Sequence, residues 1–433
     1  MFLALTDNTT SVTLSETAPV RGCTYFPSAP ASGQDAGDIT ETAVVNLNGS
    51  ESAIRAVVNA VEMLFDAAAR QDGIHRAFVA YRPVNTDGTL HRSEVLSGRV
   101  EWSSNPGLRR IGDTSPFVQV AVIWTRRPFW EAVEEADAGT VHMTNGDVAG
   151  SLLGYWVGPA APPTYSTPPA ADQGDNAYNA GEWTNLVGVL PTPAHLRITN
   201  ESGAAIAVKR VFVANDVYAR FDGAQHQMDG GGAVTWTGAS THATPRWTLT
   251  PTAAQIAKLV AGGGVRLLAV MTSVEPGAYL RAMVQQVAGA EALPAWTGPE
   301  VRMETGRFVY DLGYVQMPPG VTTFADWRIV LSVYSTLGGT AQVDFLQFCP
   351  GRDLIVLESA GVSWANGVAI NWWGDERYAA LAGYHASLRG VGQLLLQPAR
   401  PNRLMVLVEG TTGVNTTAKL AVQVGYRPRR PTI

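Results

Sequence analysis

The chain has little charge and almost no lysine. Only 16% of its 433 residues are charged, whereas 46% are hydrophobic, and in soluble domains the charged share is usually about a quarter. Lysine occurs only at Lys209, Lys258 and Lys419, so arginine supplies nearly all the positive charge. A net charge of -6 is not that of a protein that coats nucleic acid. The low charge fits either a subunit buried in an assembly or large domains with extensive interiors.

Cysteines and long apolar runs are scarce as well. Cys23 and Cys349 are the only two cysteines. They cannot build a disulfide framework or a four-thiolate zinc site, and we expect buried thiols rather than one long-range disulfide. No stretch approaches the roughly 20 apolar residues of a membrane span, and the first residues lack the basic flank of a secretory signal. We therefore expect no membrane span and a protein that is soluble when made.

One amphipathic helix is predicted over residues 50–70. Its apolar residues recur at three- and four-residue spacing, which places them on one face: Ile54, Val57, Val58, Val61, Leu64, Phe65 and Ala68. Asn48 and Glu51 match a capping box, and Gly73 is a stop signal. The apolar face predicts that this helix lies on a β-sheet.

Alternating apolar residues predict strands along the rest of the chain. The clearest pattern is residues 117–124, where Val118, Val120, Val122 and Trp124 point to one face. Residues 85–88, Asn-Thr-Asp-Gly, form a turn signal. A second, short helix is expected at residues 252–260. The predicted fold class is mainly β: a sandwich or barrel with one flanking helix, plus a jelly-roll β-sandwich.

Composition divides the chain into four segments. Residues 1–140 form a β-domain with the helix, and the Pro/Ala-rich residues 141–181 form a linker or long loop. Residues 182–352 form a jelly-roll-like β-sandwich, and residues 353–433 a C-terminal β-domain. Phe-Val-Ala-Tyr-Arg-Pro at 78–83 is echoed by Gln-Val-Gly-Tyr-Arg-Pro at 423–428. The echo fits two related β-domains or one domain split by an insertion.

The motifs of catalysis are weak or absent. The seven histidines lack zincin and zinc-finger spacing. Residues 361–365, Gly-Val-Ser-Trp-Ala, begin like a nucleophile elbow but lack its second glycine. The glycine runs 230–232 and 262–264 do not lead into the Lys and Ser or Thr of a phosphate loop. The pairs Glu134–Glu135 and Asp375–Glu376 leave a glycan hydrolase open. We predict no catalytic residue, no cofactor and no metal site.

Tryptophan is abundant, with 12 residues, and three of them lie close together in sequence: Trp364, Trp372 and Trp373. Exposed tryptophan faces stack on sugar rings in carbohydrate-binding sandwiches. These three are therefore candidate glycan-stacking residues. The alternative is that they fill the core or anchor a subunit contact.

Several short motifs resemble tail proteins of tailed bacteriophages. Val-Gln-Val-Ala-Val-Ile-Trp-Thr-Arg-Arg-Pro-Phe-Trp at 118–130 resembles the strand and Arg-Pro-aromatic exit of tail-tube and distal-tail proteins. Gln-Val-Gly-Tyr-Arg-Pro-Arg at 423–429 resembles their closing strand. The middle section, with Phe-Leu-Gln-Phe at 345–348, is similar to the galactose-binding-like jelly rolls that decorate virions. The resemblance extends over roughly half of the chain. The whole chain is longer than a simple tube subunit.

The resemblance implies a virion structural protein without catalytic residues. It would be made in the host cytoplasm, enter the virion tail and contact other tail proteins. It would form a homo-oligomer, a ring, trimer or hexamer, around a lumen through which DNA passes without specific binding. A cell-surface glycan is a further possible partner. The alternatives are a carbohydrate-binding adhesin or baseplate component, a capsid decoration protein and, less favoured, a glycan hydrolase.

Ring assembly would pair the sheet edges of neighbouring subunits, which removes exposed strand edges. A hairpin over residues 85–106 would contact the next ring. Its candidate contact residues are Arg92, Glu94, Arg99 and Glu101. Their alternating charges would set the register between rings more than the affinity.

Overall fold

β-Strands make up most of the described chain in the computed structural model, which confirms the predicted mainly β fold class. The structure describes residues 2–7, 9–15, 17–28, 37–70, 75–83, 88–102, 109–110, 116–144, 186–215, 219–222, 233–243, 245–249, 265–273, 277–288, 291–315, 327–350, 354–374, 378–381, 389–398, 402, 404–414 and 418–432. The predicted helix at 252–260, the predicted stop at Gly73 and most of the 141–181 segment lie outside these ranges. No helix within them is long and apolar enough to cross a membrane.

The described elements are one α-helix and 31 β-strands. The first part of the chain contains β1 (Phe2–Thr6), β2 (Ser11–Thr13), β3 (Val20–Thr24), β4 (Ile39–Asn48), α1 (Glu51–Arg70), β5 (Ala77–Arg82), β6 (His91–Trp102), β7 (Arg109–Arg110), β8 (Pro116–Arg126), β9 (Trp130–Ala132) and β10 (Ala136–Thr144). The middle part contains β11 (Thr192–Asn200), β12 (Ile206–Asn215), β13 (Ala219–Asp222), β14 (Ala233–Trp236), β15 (Pro245–Leu249), β16 (Val265–Ser273), β17 (Tyr279–Ala288), β18 (Glu291–Thr297), β19 (Val301–Arg302), β20 (Gly306–Val315), β21 (Trp327–Tyr334) and β22 (Gly339–Pro350). The last part contains β23 (Leu354–Trp364), β24 (Ala369–Trp373), β25 (Tyr378–Leu381), β26 (Arg389–Gln393), β27 (Leu395–Leu396), β28 (Leu404–Gly410), β29 (Gly413–Val414), β30 (Lys419–Tyr426) and β31 (Arg429–Arg430).

The strands group into two units. Unit 1 comprises Met1–Ala136, Leu186–Thr192 and Arg427–Ile433. Unit 2 comprises Asp137–Asn185 and Pro193–Tyr426. Unit 2 is thus an insertion within unit 1, and the closing segment of the chain returns to unit 1, where β31 pairs with β9.

Unit 1 is a ten-stranded sheet with one helix on it. The main strand order is β2-β1-β5-β6-β8-β4-β3, with β7, β9 and β31 attached. The predicted apolar face of α1 is confirmed: six of its residues enter the same core as Val120, Val122 and Trp124 of β8, namely Ile54, Val58, Val61, Leu64, Phe65 and Ala68. The alternation of β8 therefore selects the face that the helix covers.

The start of α1 differs from the predicted capping box. Ser50 is the N-cap, because its Oγ accepts a hydrogen bond from the Ala53 amide at 3.2 Å. Asn48 is instead the last residue of β4, where it pairs with Phe117. Glu51 forms a 2.8 Å ion pair with Arg55 one turn on. The prediction failed because Asn48 is still paired within β4, so the N-cap falls two residues later, at Ser50.

A buried ion pair joins β4 to β8 in unit 1. Glu41 and Arg126 are almost fully buried, and Arg126 donates to both carboxylate oxygens, at 2.7 Å and 2.8 Å. Tyr25 and the Ser28 amide also donate to Glu41, at 2.6 Å and 2.7 Å. The guanidinium stacks on Trp130, 4.4 Å from the ring centroid. These contacts compensate both charges for the water they lose on burial.

Unit 2 is one β-sandwich inserted into another. The first sandwich pairs the sheet β10-β30-β11-β24-β25, with β27 on β11, against the sheet β26-β23-β12-β28-β29. The two sheets pack face to face where the Trp372 ring lies directly on Gly390, leaving no room for a Cβ there. The consecutive strands β26 and β27 belong to opposite sheets, so the chain crosses between the sheets at Leu394.

The inserted sandwich is formed by residues 219–350. Its two sheets are β13-β22-β16-β20, with β14 on β22, and β15-β21-β17-β18, with β19 on β17. They enclose a single apolar core whose largest members are Trp236, Trp247, Phe308, Tyr310 and Trp327. This is the jelly-roll-like sandwich predicted for the middle of the chain.

The two sandwiches of unit 2 are joined through Arg210 and Glu409. These residues face each other on β12 and β28 and form a two-pronged ion pair at 2.7 Å and 2.8 Å. Glu409 is fully buried and also accepts from the Val309 amide, while Arg210 donates to the Val309 carbonyl, both at 2.8 Å. The ion pair thereby forms hydrogen bonds with both the amide and the carbonyl of Val309 on β20 of the inserted sandwich.

The sheet pairings cross the predicted boundary after residue 352. Strands β23 and β28 pair with β12, and β24 and β30 pair with β11. Residues 354–426 therefore share their sheets with residues 193–215. The two echoed segments lie in different sheets, β5 in unit 1 and β30 in unit 2.

Candidate functional site

The predicted inter-ring hairpin is a strand in the body of the unit 1 sheet. Residues 91–95 of β6 have β5 on one side, and β8 and β9 on the other. Arg92 forms a 3.0 Å ion pair with the buried Glu131, and Glu94 a 2.8 Å pair with Arg76. Arg92 and Glu94 are thus engaged within the chain itself, because the pairing on both sides of β6 brings partners to them. The parts of the predicted hairpin at 85–87 and 103–106 lie outside the described residues.

The second half of β6 is different. β5 pairs no further along β6 than Val95, so beyond Ser97 the described partners of β6 come from β8 alone. Arg99 and Glu101 form a 2.6 Å ion pair, and both side chains are more than half exposed. Trp102 follows at 45% exposure. Two of the four predicted contact residues therefore lie beside an edge of β6 that is open among the described residues, near a large exposed aromatic ring.

Gly98 lies where the two halves of β6 meet. The Phe65 ring of α1 lies against it, and a Cβ at this position would be 2.5 Å from the ring. A β-bulge between Val95 and Ser97 precedes it, and bulges twist and redirect the strand that carries them. The helix thus covers β6 at Gly98, and the exposed residues follow it.

Trp364 and Trp372 do not present their rings to solvent. Both are buried in unit 2, at 0% and 1% exposure, and Trp364 donates to the Val368 carbonyl at 2.7 Å. Trp373 is half-buried on β24, beside His195 of β11. The alternation of β24 sends Trp372 inward and its neighbours to the other face. A sugar has no access to the first two rings, which fill the core as in the alternative interpretation.

The sequence motifs considered for catalysis do not converge in the described residues. Residues 361–364 belong to β23 and lack the strand-to-helix turn of a nucleophile elbow. No group of three or more His, Cys, Asp or Glu side chains that could hold a metal occurs in the described ranges. Cys349 is buried and Cys23 half-buried, and both are free thiols. Asp375–Glu376 and the two glycine runs fall outside those ranges.

A polar and aromatic cluster lies on the inserted sandwich, on the face of β17 and β21 away from its core. We call it the tyrosine patch: Tyr279, Arg281, Tyr334, His242 and Glu300. Tyr279 and Tyr334 are paired directly across the two strands, with ring centroids 6.4 Å apart. His242 lies 6.0 Å from the Tyr334 ring. Glu300 Oε1 lies 3.3 Å from His242 Nε2 and 3.4 Å from Arg281 Nη1.

The backbone positions each part of the patch. Ser240 and Ser335 exchange two backbone hydrogen bonds, at 2.8 Å and 3.0 Å, which holds the segment before His242 against β21. The Gly298 amide donates to the Ala282 carbonyl at 2.9 Å, and Val301 pairs with Leu280. Glu300 is thereby held beside β17.

The contact between Ser332 and His242 has some features of a catalytic triad, but a substrate could not reach Ser332. Ser332 Oγ lies 3.1 Å from His242 Nδ1, and His242 Nε2 faces Glu300 without hydrogen-bond geometry. Ser332 is fully buried, whereas a serine nucleophile must reach its substrate. Burial, and secondly the charge of Arg281, lower the pKa of His242 despite the opposite effect of Glu300. The imidazole is therefore neutral at neutral pH and acts as a structural neighbour of Tyr334.

Neither the tyrosine patch nor the exposure of Trp102 was predicted from the sequence. Positions 242, 279, 300 and 334 form no local motif, and strand pairing alone brings them together. Trp102 closes an alternating pattern that is otherwise typical of a buried strand.

Comparisons with known proteins identify no family. No protein-family profile matches the chain, and no curated protein matches it. Among solved structures it has a likeness to one described as "Crystal structure of infectious bursal disease virus VP2 subviral particle", at 9% identity and a TM-score of 0.13, over 69% of this chain and 79% of that chain. A TM-score this low carries no argument about fold or function.

Proposed function

We propose that this protein is a structural subunit of a tailed-bacteriophage virion, a tail-tube or distal-tail protein that assembles into rings around a DNA-conducting lumen. Unit 1 is the assembling part, and unit 2 is a decoration inserted into it. The proposal is supported by the open edge of β6 beyond Ser97, with Arg99, Glu101 and Trp102 beside it.

An open edge of this kind favours association. Unpaired backbone groups beside an exposed aromatic ring form a template for a strand of a neighbouring subunit. Tryptophan and arginine are frequent anchors of protein interfaces. Arg99 and Glu101 are already paired with each other at the surface, so a partner's charges can exchange with them at little cost in desolvation.

The test is the oligomeric state of the purified full chain. We expect size exclusion with light scattering, followed by negative-stain imaging, to show rings or stacked tubes with a central channel. Trp102→Lys should abolish the assembly, because it removes the aromatic anchor and places a charge at the contact.

Met63→Lys is the matched control, since Met63 is an exposed apolar residue of α1 in the same unit, at 72%. It should assemble as the unaltered chain does. A chain that stays monomeric at high concentration would remove the ring proposal. Rings of normal size from Trp102→Lys would remove the β6 edge as the contact.

A further inference from the structure

We infer that the tyrosine patch is a saccharide-binding site in which a pyranose ring stacks on Tyr279 and Tyr334. The site lies wholly in the inserted sandwich of unit 2. It goes beyond the proposed assembly role and does not depend on the β6 edge.

The two tyrosine rings supply the apolar part of such a site. Tyr279 and Tyr334 are 36% and 42% exposed, on strands that hold them side by side, and their ring planes meet at 50°. No hydrogen bond of either hydroxyl is found within the described residues. Aromatic faces of this kind stack on the C–H face of a sugar, while the free hydroxyls remain available as donors and acceptors.

Glu300 and Arg281 supply the directional part. The Glu300 side chain is half exposed, and its Oε1 is shared between Arg281 and His242. Its other oxygen has no partner among the described residues, and a carboxylate oxygen accepts readily from vicinal hydroxyls. Arg281, whose Nη1 lies 3.4 Å from Glu300 Oε1, holds this carboxylate beside Tyr279. Arg302, exposed beside Tyr279 on β19, adds a further donor.

The composition of the patch favours a sugar over other ligands. A single-stranded nucleic acid also stacks on aromatic rings but requires a basic groove for its phosphates, and Glu300 lies at the centre of this patch. A stable protein contact buries about 800 Å² on each partner, whereas this patch offers two half-exposed rings. Two aromatic rings, with a carboxylate and a guanidinium close enough to hydrogen-bond sugar hydroxyls, match the size and chemistry of one or two sugar rings.

The site is also rigid before any ligand arrives. Tyr279 and Tyr334 are fixed by direct strand pairing, and His242, which packs beside Tyr334, follows a segment held by two backbone hydrogen bonds. A preformed site loses little conformational entropy on binding. Modest contacts to a flexible polysaccharide therefore suffice for measurable affinity.

The test uses the full chain on an array of immobilised oligosaccharides containing hexoses, N-acetylhexosamines and uronic acids. The best-bound oligosaccharide is then titrated by calorimetry. We expect Tyr279→Ala and Tyr334→Ala each to weaken binding about tenfold, since each removes a stacking face. Tyr279→Phe retains the ring and should bind within about threefold of the unaltered chain. Glu300→Gln should also weaken binding, and as an exposed change it leaves folding intact.

Tyr314→Ala is the matched control, because Tyr314 is 44% exposed on β20 in the other sheet of the same sandwich. Binding should be unchanged in this variant. The inference is overturned if no oligosaccharide on the array binds, or if both alanine variants of the patch bind as tightly as Tyr314→Ala. Assembly of the same variants is followed in parallel, so that failure of the saccharide site is distinguishable from failure of ring formation.

Discussion

Replacing Glu41 by glutamine should destabilise unit 1 strongly, because it leaves Arg126 charged and buried. The change preserves shape and a carbonyl acceptor but removes the counter-charge of a guanidinium that has no exposure to water. Breaking one side of a buried ion pair typically costs about 3–5 kcal/mol. For a unit of this size each kcal/mol lowers the melting temperature by about 2–4 °C, so the unit 1 transition should fall by about 6–20 °C.

Differential scanning calorimetry is the assay, because it can resolve the transition of unit 1 from that of unit 2. Trp124 and Trp130 give a local fluorescence signal, as both lie in the unit 1 core. Glu51→Gln is the control, since its ion pair with Arg55 on α1 is solvent-exposed and worth at most about 1 kcal/mol. Glu41→Gln combined with Arg126→Met should recover part of the loss. A single Glu41 variant that melts within 2 °C of the control, roughly the shift expected of an exposed pair, would refute the reasoning.

Two further predictions concern the core of unit 1 and the tyrosine patch. Val120→Asp should prevent unit 1 from folding, because the Val120 side chain is 2% exposed in the apolar core and a buried unpaired carboxylate costs more than about 4 kcal/mol. The control Gln119→Asp, at an exposed position, should stay soluble. A Val120→Asp chain that melts normally would remove the assignment of β8. The stability of unit 2 should fall as the pH drops below about 6.5, the ordinary pKa of histidine. The folded protein lowers the pKa of His242, so below that pH the unfolded chain takes up the proton more readily than the folded one. Melting temperatures at pH 7.5 and pH 5 should therefore differ less in His242→Gln, and an equal fall in both chains would contradict this.

The strands and the helix were predictable because their signals are local. Val118 to Trp124 alternate at the period of a strand, and the apolar residues of α1 recur at the period of a helix. The N-cap was predicted at Asn48 rather than Ser50, since both are good capping residues and only the length of β4 decides between them. The sequence around Trp372 and Trp373 predicts that they lie on opposite faces of a strand, but it does not predict which of the two is buried.

Pairings between distant strands were beyond local reasoning. The Arg210–Glu409 pair and the row Tyr334–Tyr279–Arg302 join positions far apart in sequence. Alternation states which residues share a face but not which strand lies alongside. The same limit explains why Arg92 and Glu94 resembled surface charges: Glu131 lies on β9 and Arg76 directly precedes β5, and neither is close to β6 in sequence.

The double insertion also sets an order of events at the ribosome. Every strand of the inner sandwich emerges between residues 219 and 350, so we expect this part to fold while the chain is still growing. β11 must wait for β30, and β9 must wait for β31, and both of these strands are synthesised much later. Until then β11 and β9 present unpaired edges, which proteases and chaperones recognise. Translation that stops before β30 and β31 therefore leaves strand edges that can pair with other chains.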